Sequence, residues 1–157
     1  MPKKVKKNRF YYNEDFVKSP DGRSIRILSE YYGPLQRLRR NHIQDTIVFF
    51  GSARIQSREM SIKDLNIAKK SKSAIKIRRA ITNLKISNYY EDARALAYQF
   101  TRWSKKLKHK NRQYVICSGG GPGIMEAANR GAKEAGGLSL GLTISLPNEH
   151  SGNKWIS

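Results

Sequence analysis

The segment from Gln113 to Pro147 constrains the fold more than any other part of the sequence. It opens with a run of β-forming residues, Tyr114 to Cys117, and continues through Ser118 to Gly123, which holds four glycines and one proline. Good helix formers follow from Ile124 to Ala135, then a Gly-Gly pair suited to a left-handed helix cap. A second apolar run covers Leu138 to Leu146. The pattern predicts two buried parallel strands joined by a crossover helix.

The glycine-rich turn at 118–123 is the best candidate for a ligand site. Glycines between a strand and a helix let a ligand approach the backbone closely, and the helix start offers free N–H groups to an anion. Pro122 suits the first helical turn, and Glu126 suits the positive end of the helix dipole. The turn is neither GxGxxG nor a Walker loop. The alternative is a tight turn that only packs the helix on the sheet, although three consecutive glycines exceed what packing needs.

A further strand is predicted from Asp45 to Ser52, where β-branched and aromatic residues end abruptly at Gly51-Ser52. Small residues at the carboxyl end of a strand lie on the edge at which open α/β sheets bind ligands. Arg54 follows directly, and two interpretations of it stay open: a guanidinium that faces the same crevice, or a solvated loop arginine.

Helical spacing of apolar residues accounts for most of the remaining chain. Residues 25–42 predict one broken helix or two short ones, interrupted at Gly33-Pro34. A long cationic helix from Ser61 to Leu84 and a second helix from Tyr89 to Leu107 form a basic helical hairpin at 61–107.

Strands that alternate with helices predict an α/β fold with a Rossmann-like parallel sheet and flanking helices. Three strands are few for such a sheet, so we expect it to be incomplete at its C-terminal end. A basic helical region precedes it. We expect a basic flexible tail at 1–24 and a single Rossmann-like domain at 25–157.

Charge is distributed unevenly along the chain. The net charge is +19, yet residues 115–157 hold three basic and three acidic groups, so residues 1–114 carry the whole excess as 28 basic minus nine acidic groups. This excess suggests nucleic acid or an anionic surface as a partner, and we expect at most a weak nucleic-acid contact through the basic N-terminal region. Lysine-rich composition with solvated helix faces explains the same charge without a partner, and no RNA-binding aromatic signature accompanies it.

The remaining composition excludes several classes of protein. A single cysteine, Cys117, rules out an internal disulfide and favours the cytoplasm. No apolar run approaches the ~18 residues of a membrane span, so we expect no membrane partner. The three histidines are scattered without metal-ligand spacing, so neither a metal nor a cofactor is expected.

Four segments together resemble the Lonely Guy (LOG) family, in its longer bacterial form once described as lysine decarboxylase. They are IVFFGSAR (47–54), YYEDARALAYQFTRWS (89–104), YVICSGGGPGIMEAANRGAKEAGG (114–137) and LGLTISLPNEH (140–150). The resemblance implies a Rossmann-like fold, a homodimer and hydrolysis of nucleoside 5′-monophosphates. The N-glycosidic bond of AMP or of a cytokinin riboside 5′-monophosphate would be cleaved to a free base and ribose 5-phosphate.

The same resemblance assigns the nucleotide-binding residues. Met125 would lie at the helix start near the base, and Glu149 would contact the nucleotide. The crevice would be lined by Gly51, Ser52, Gly119, Gly120, Gly121 and Gly123.

The sequence departs from the family at its second signature, PGGxGTxxE, which is absent together with the arginine-lysine pair before it. In the family that segment carries the catalytic glutamate and the main phosphate loop. Glycoside cleavage needs a carboxylate near the anomeric carbon, and Glu149 supplies at most one such group. We therefore assign no catalytic residue, and we expect the first part of a longer enzyme that is inactive alone. A non-catalytic nucleotide-binding module and a basic nucleic-acid-binding protein are the alternatives.

Overall fold

A computed structural model of the chain describes residues 9–107, 109–144 and 152–157. Two compact units are present, residues 1–42 and residues 43–157. In the described part of the predicted tail, Phe10–Tyr12 form a turn of 3-10 helix, and helix α1 spans Glu14–Lys18. Asn13 caps α1, because its Oδ1 accepts a hydrogen bond from the Phe16 amide over 3.2 Å.

Helix α2 spans Arg23–Arg40 without interruption, so the predicted break at Gly33-Pro34 is wrong. Pro34 removes one backbone donor from the helix, and nothing lies within 4 Å of a Cβ built at Gly33. A single missing hydrogen bond in an uncrowded turn has been outweighed by the helical preference of the residues on both sides. Arg26 ties the start of α2 to the preceding loop by donating to the carbonyl oxygen of Ser19 over 2.8 Å.

The second unit is built on a three-stranded parallel sheet, which confirms the predicted α/β class. Its strand order is β1-β2-β3, and Ile47 lies opposite Ile116 in the register of the first pair. The strands are β1 (Thr46–Phe49), β2 (Val115–Ser118) and β3 (Ser139–Gly141). They are shorter than predicted because parallel pairing covers only part of each apolar run.

The described part of this unit has four helices: α3 (Arg58–Lys70), α4 (Ala74–Ile86), α5 (Asn88–Ser104) and α6 (Ile124–Glu134). Helices α5 and α6 pack against the sheet, and α3 and α4 pack against each other and against α5. The single helix predicted from Ser61 to Leu84 is therefore wrong, since the chain turns between α3 and α4. Lys72 has a φ of 53° in the left-handed region. The Ser71 hydroxyl donates to the Ala68 carbonyl over 2.7 Å and so competes with continuation of the helix.

The core lies between the sheet and the α5–α6 pair. Ala97, Ile116, Ala128 and Ala132 are fully buried, with Ile47, Phe49 and Phe100 packed against them. Small residues allow α5 and α6 to pack closely: a Cβ at Gly131 would lie 2.1 Å from the Arg94 carbonyl oxygen. This packing fixes where α6 begins, at the carboxyl edge of the sheet. Among the residues that the structure describes, no helix is both long and apolar enough to cross a membrane.

Candidate functional site

The loop after β1 meets the glycine turn after β2 at the start of α6. The Ile124 amide donates to the Ser52 carbonyl oxygen over 3.1 Å. Gly123 has φ 74° and ψ −131°, and a Cβ there would lie 2.2 Å from the same Ser52 oxygen. A side chain would be excluded both by this backbone conformation and by this contact. Gly123 therefore lets the two loops meet.

Ser118 holds the first peptide groups of the glycine turn in place. Its buried hydroxyl donates to Oδ1 of Asn129 over 2.6 Å and accepts from the Gly120 amide over 3.0 Å. Gly120 has a φ of 76°, and a Cβ there would lie 2.7 Å from Cγ2 of Thr143. Glycine is therefore required at position 120 by its positive φ and by the nearby Thr143 side chain, without any ligand.

Asn129 is the centre of the hydrogen-bond network around the turn. It is fully buried, and its Nδ2 donates to Ser139 Oγ over 2.8 Å and to the Leu140 carbonyl over 3.0 Å. Its Oδ1 accepts from Ser118 and, over 2.9 Å, from Nδ2 of Asn153. Both donors and both acceptor positions of the amide are used. The side chain therefore joins β2, β3, α6 and the last described segment, 152–157.

Asn153 engages the backbone of the turn directly. The side-chain Nδ2 donates to the Gly120 carbonyl oxygen over 3.1 Å and to that of Gly121 over 3.0 Å. The backbone N–H of Asn153 also donates to the Gly120 oxygen, over 2.7 Å. The Ser157 amide donates to the Ser139 carbonyl over 2.8 Å, so the segment also lies along β3. Two carbonyl oxygens that would repel an anion are therefore bound by protein donors.

Gly119 and Gly121 differ from the other two glycines of the turn. A Cβ at Gly119 would approach only Sδ of Met125, at 3.0 Å, and a Cβ at Gly121 would meet Cε of Met125 at 2.7 Å. These atoms belong to the far end of a flexible side chain, so the fold does not require glycine at either position. The structure thus places Met125 against Gly119 and Gly121 at the start of α6, and its predicted position near a bound base stays a prediction.

Helix α6 begins without a side-chain cap. The amides of its first turn, which includes Met125 and Glu126, have no intrahelical acceptors and carry partial positive charge.

Glu126 accepts a hydrogen bond from the Tyr90 hydroxyl over 3.2 Å. Burial, followed by the charge of Glu126, raises the pKa of Tyr90 to about 12. The Tyr90 hydroxyl therefore remains a donor to Glu126 at neutral pH.

The other predicted site residues fall into three groups. Gly51 adjoins the turn, since a Cβ there would lie 2.6 Å from Cγ2 of Ile124, and Ser52 contributes the carbonyl already described. Arg54 is exposed on the same loop, and its amide donates to Ser52 Oγ over 3.2 Å. Glu149 lies outside the described residues. Of the described residues, no three His, Cys, Asp or Glu form a group that could hold a metal ion.

Cys117 lies next to this network but is not suited to chemistry. It is 3% exposed within β2, and burial raises the pKa of its thiol. A nucleophilic cysteine requires the thiolate form, which this environment disfavours. Cys117 therefore acts as a small buried apolar residue.

An ion-pair cluster joins α5 to α6 and to the 152–157 segment. Nε and Nη2 of Arg94 lie 2.7 Å from Oε2 and Oε1 of Glu134, and Nε of Arg130 lies 2.9 Å from Oε1. The guanidinium of Arg130 also lies over the Trp155 ring, 5.2 Å from its centroid. Burial opposes ionisation of Glu134, but hydrogen bonds from Arg94 and Arg130 outweigh it and lower the pKa of this carboxyl.

Sequence reasoning missed Asn129, Asn153 and Tyr90, and it included Ser118 only as the first residue of the turn at 118–123. One local signal was present for Asn129, because an amide stands among Ala127, Ala128 and Ala132 on the apolar side of α6. A polar residue on a buried helix face requires hydrogen-bond partners. The sequence carried no comparable signal for Asn153.

Residues 87–156 match the model of the SLOG cluster4 family. The match spans α5, β2, the glycine turn, α6 and β3, together with Asn153. It confirms the relationship that the glycine segment predicted, at the level of a SLOG/LOG-type family, and it does not single out the LOG branch. A search of curated proteins found no match.

Proposed function

Because residues 87–156 match a SLOG-type family, whose function is nucleotide-related at the family level, we propose that this chain binds a nucleoside 5′-monophosphate at the glycine turn. The reaction that we propose for the site is hydrolysis of the N-glycosidic bond. The substrate would be AMP or a cytokinin riboside 5′-monophosphate, and the products would be a free base and ribose 5-phosphate.

The observation that supports this proposal most directly is the difference between the glycines of the turn. Gly120 and Gly123 are required by backbone conformation and packing, whereas Gly119 and Gly121 meet only the movable end of Met125. A ligand can therefore approach the backbone closely at these two positions. The carbonyls of Gly120 and Gly121 are bound by Asn153, which removes two negative dipoles from the surroundings of an anion.

The phosphate would be bound by main-chain amides and by the positive end of α6. Uncapped first-turn amides favour an anion at this position. Arg54, exposed on the neighbouring loop, would add a cationic donor for a phosphate oxygen. The thioether of Met125 would supply a polarisable apolar contact for the base.

A second candidate function, nucleotide binding without hydrolysis, is supported by the state of Glu126. N-glycosidic cleavage passes through an oxocarbenium-like transition state that a carboxylate near the anomeric carbon stabilises. Glu126 stands in the first turn of α6, but its carboxylate accepts a hydrogen bond from Tyr90. Glu149, the carboxylate that the family resemblance assigned to the nucleotide, lies outside the described residues. Binding and cleavage must therefore be measured separately.

The experiment is calorimetric titration with AMP, combined with chromatographic detection of adenine. Ribose 5-phosphate should compete with AMP and adenosine should not, because the turn binds the phosphate. Gly121→Ala should weaken AMP binding while the circular dichroism spectrum is retained. Gly33→Ala, at an open position of α2, is the matched control.

Adenine release by the purified chain would support hydrolysis. Binding without release would support the non-catalytic function for this chain, and it is also the outcome that the absence of the PGGxGTxxE signature predicts. A well-folded protein that binds neither AMP nor ribose 5-phosphate would contradict both.

A further inference from the structure

Helices α3 and α4 carry a dense cationic surface that the nucleotide site does not use. Residues 65–90 contain no acidic residue and seven basic ones, and all seven side chains are exposed. The seven residues, named here the α3–α4 basic surface, are Lys69, Lys70, Lys72, Lys76, Arg78, Arg79 and Lys85. Six of them lie on α3 and α4, which pack against each other in the 43–157 unit, and Lys72 lies in the turn between the two helices.

The charge pattern of an ordinary solvated helix explains only part of this surface. The first half of α3 is of that kind, because Lys63 pairs with Glu59 one turn away over 2.7 Å. Lys69 and Lys70 also suit the last turn of α3, where cations are favoured by the helix dipole. Lys85 suits the last turn of α4 in the same way, whereas Lys76, Arg78 and Arg79 have no such explanation.

Lys76, Arg78 and Arg79 oppose the local electrostatics of α4. Lys76 lies in the first turn of the helix, where the positive end of the dipole disfavours cations, and Arg78 and Arg79 follow in the second turn. The first turn of α4 has no acidic residue to compensate, and no side chain caps it. Lys76 therefore opposes the helix dipole, and it also repels Arg79, which lies three residues further on the same helix. An external polyanion would offset both effects.

We propose that the α3–α4 basic surface binds the phosphodiester backbone of nucleic acid. Residues 58–86 contain no Phe, Trp or Tyr, so this surface offers no ring on which a base could stack. Recognition is consequently electrostatic and independent of base sequence. It is also independent of the nucleotide site at the glycine turn.

The test is fluorescence anisotropy with a labelled oligouridylate and a labelled DNA duplex over a range of salt concentrations. The triple variant Lys76→Gln, Arg78→Gln, Arg79→Gln should bind about 10- to 100-fold more weakly near 0.1 M salt, with a log–log salt slope shallower by about 2. The matched control is Arg102→Gln, Lys106→Gln, Lys110→Gln, three exposed cations outside α3 and α4. Both variants reduce the net charge from +19 to +16, since 19 − 3 = 16.

A large loss in the first variant and retention in the control would establish the location of the surface. Equal losses in both variants would overturn the proposal, because net charge alone would then explain binding. Negligible binding of either nucleic acid near physiological salt would also overturn it. Tighter binding to vesicles that contain phosphatidylserine than to either nucleic acid would do the same, since exposed Ile75 and Ile81 would then be lipid contacts.

Discussion

Nδ2 of Asn153 donates a hydrogen bond to Oδ1 of Asn129 over 2.9 Å and so joins the 152–157 segment to helix α6. The same Nδ2 reaches the carbonyls of Gly120 and Gly121. One side chain therefore connects the helix, the glycine turn and the segment beyond β3. The backbone conformation of the candidate site depends on this connection as well as on the glycines.

Asn129→Asp should destabilise the 43–157 unit by about 2–4 kcal/mol. The carboxylate has nearly the shape of the amide, but it cannot donate to Ser139 Oγ or to the Leu140 carbonyl, and it buries a charge. Urea unfolding at neutral pH measures the loss. Asn66→Asp, on the exposed side of α3, is the matched control and should change stability by less than about 0.5 kcal/mol. Equal stability of the two variants would show that the Asn129 network contributes little.

Asn153→Ala should loosen the glycine turn clearly and should lower the unfolding free energy of the 43–157 unit only modestly. Its removal frees the Gly120 and Gly121 carbonyls and should cost about 1–2 kcal/mol of unfolding free energy. Hydrogen exchange followed by mass spectrometry should show faster exchange in a peptide covering 118–124. The neighbouring exposed residue provides the control, Lys154→Ala, which should leave this peptide unchanged. Unchanged exchange in the Asn153 variant would mean that other contacts suffice to hold the turn.

Two glycine substitutions should separate folding from binding. Gly123→Ala places a side chain at positive φ and within 2.2 Å of the Ser52 carbonyl oxygen, so it should destabilise the unit by about 3 kcal/mol or more. Gly121→Ala meets only Cε of Met125 and should cost less than about 1 kcal/mol. Adding Met125→Ala to Gly121→Ala should remove the steric part of that cost. Thermal unfolding distinguishes the variants, and similar losses at both positions would contradict this division of roles.

The sequence predicted correctly those secondary-structure elements whose ends are determined by neighbouring residues. The helix after the glycine turn was predicted at Ile124–Ala135 and spans Ile124–Glu134, because its residues favour a helix and a Gly-Gly pair ends it. The approach of Gly51 and Ser52 to the turn was also predictable, since the carboxyl ends of parallel strands share one edge. That these residues bind a nucleotide stays a prediction.

Contacts between distant residues could not be read from the sequence. Asn153 and Gly120 are 33 positions apart, and Arg94 and Glu134 are 40 apart, so no periodic pattern connects them.

The break between α3 and α4 was missed for a different reason. Apolar spacing continues across Ser71–Ser73, while the serine hydroxyl and the left-handed Lys72 end the helix through local hydrogen bonding.

The Arg94–Glu134–Arg130 cluster should make stability depend on pH in the acid range. The hydrogen bonds from the two arginines lower the pKa of Glu134 in the folded state below its ordinary 4.5. The cluster therefore contributes fully above about pH 4.5, and its contribution is lost as the pH falls through the lower folded-state pKa. Replacement of the carboxylate by an amide should remove this contribution at all pH values.

Glu134→Gln should accordingly be less stable than the unsubstituted protein by about 1–2 kcal/mol at neutral pH, because the bidentate pair with Arg94 is only partly exposed. The difference should shrink progressively below pH 4.5, which urea unfolding across an acid pH series would measure. Asp92→Asn, an exposed position on the same helix as Arg94, is the control and should run parallel to the unsubstituted protein. The stability difference between the Glu134 variant and the unsubstituted protein should be measured both at neutral pH and well below the folded-state pKa of Glu134. If it is the same at both, the carboxylate charge does not stabilise the α5–α6 contact.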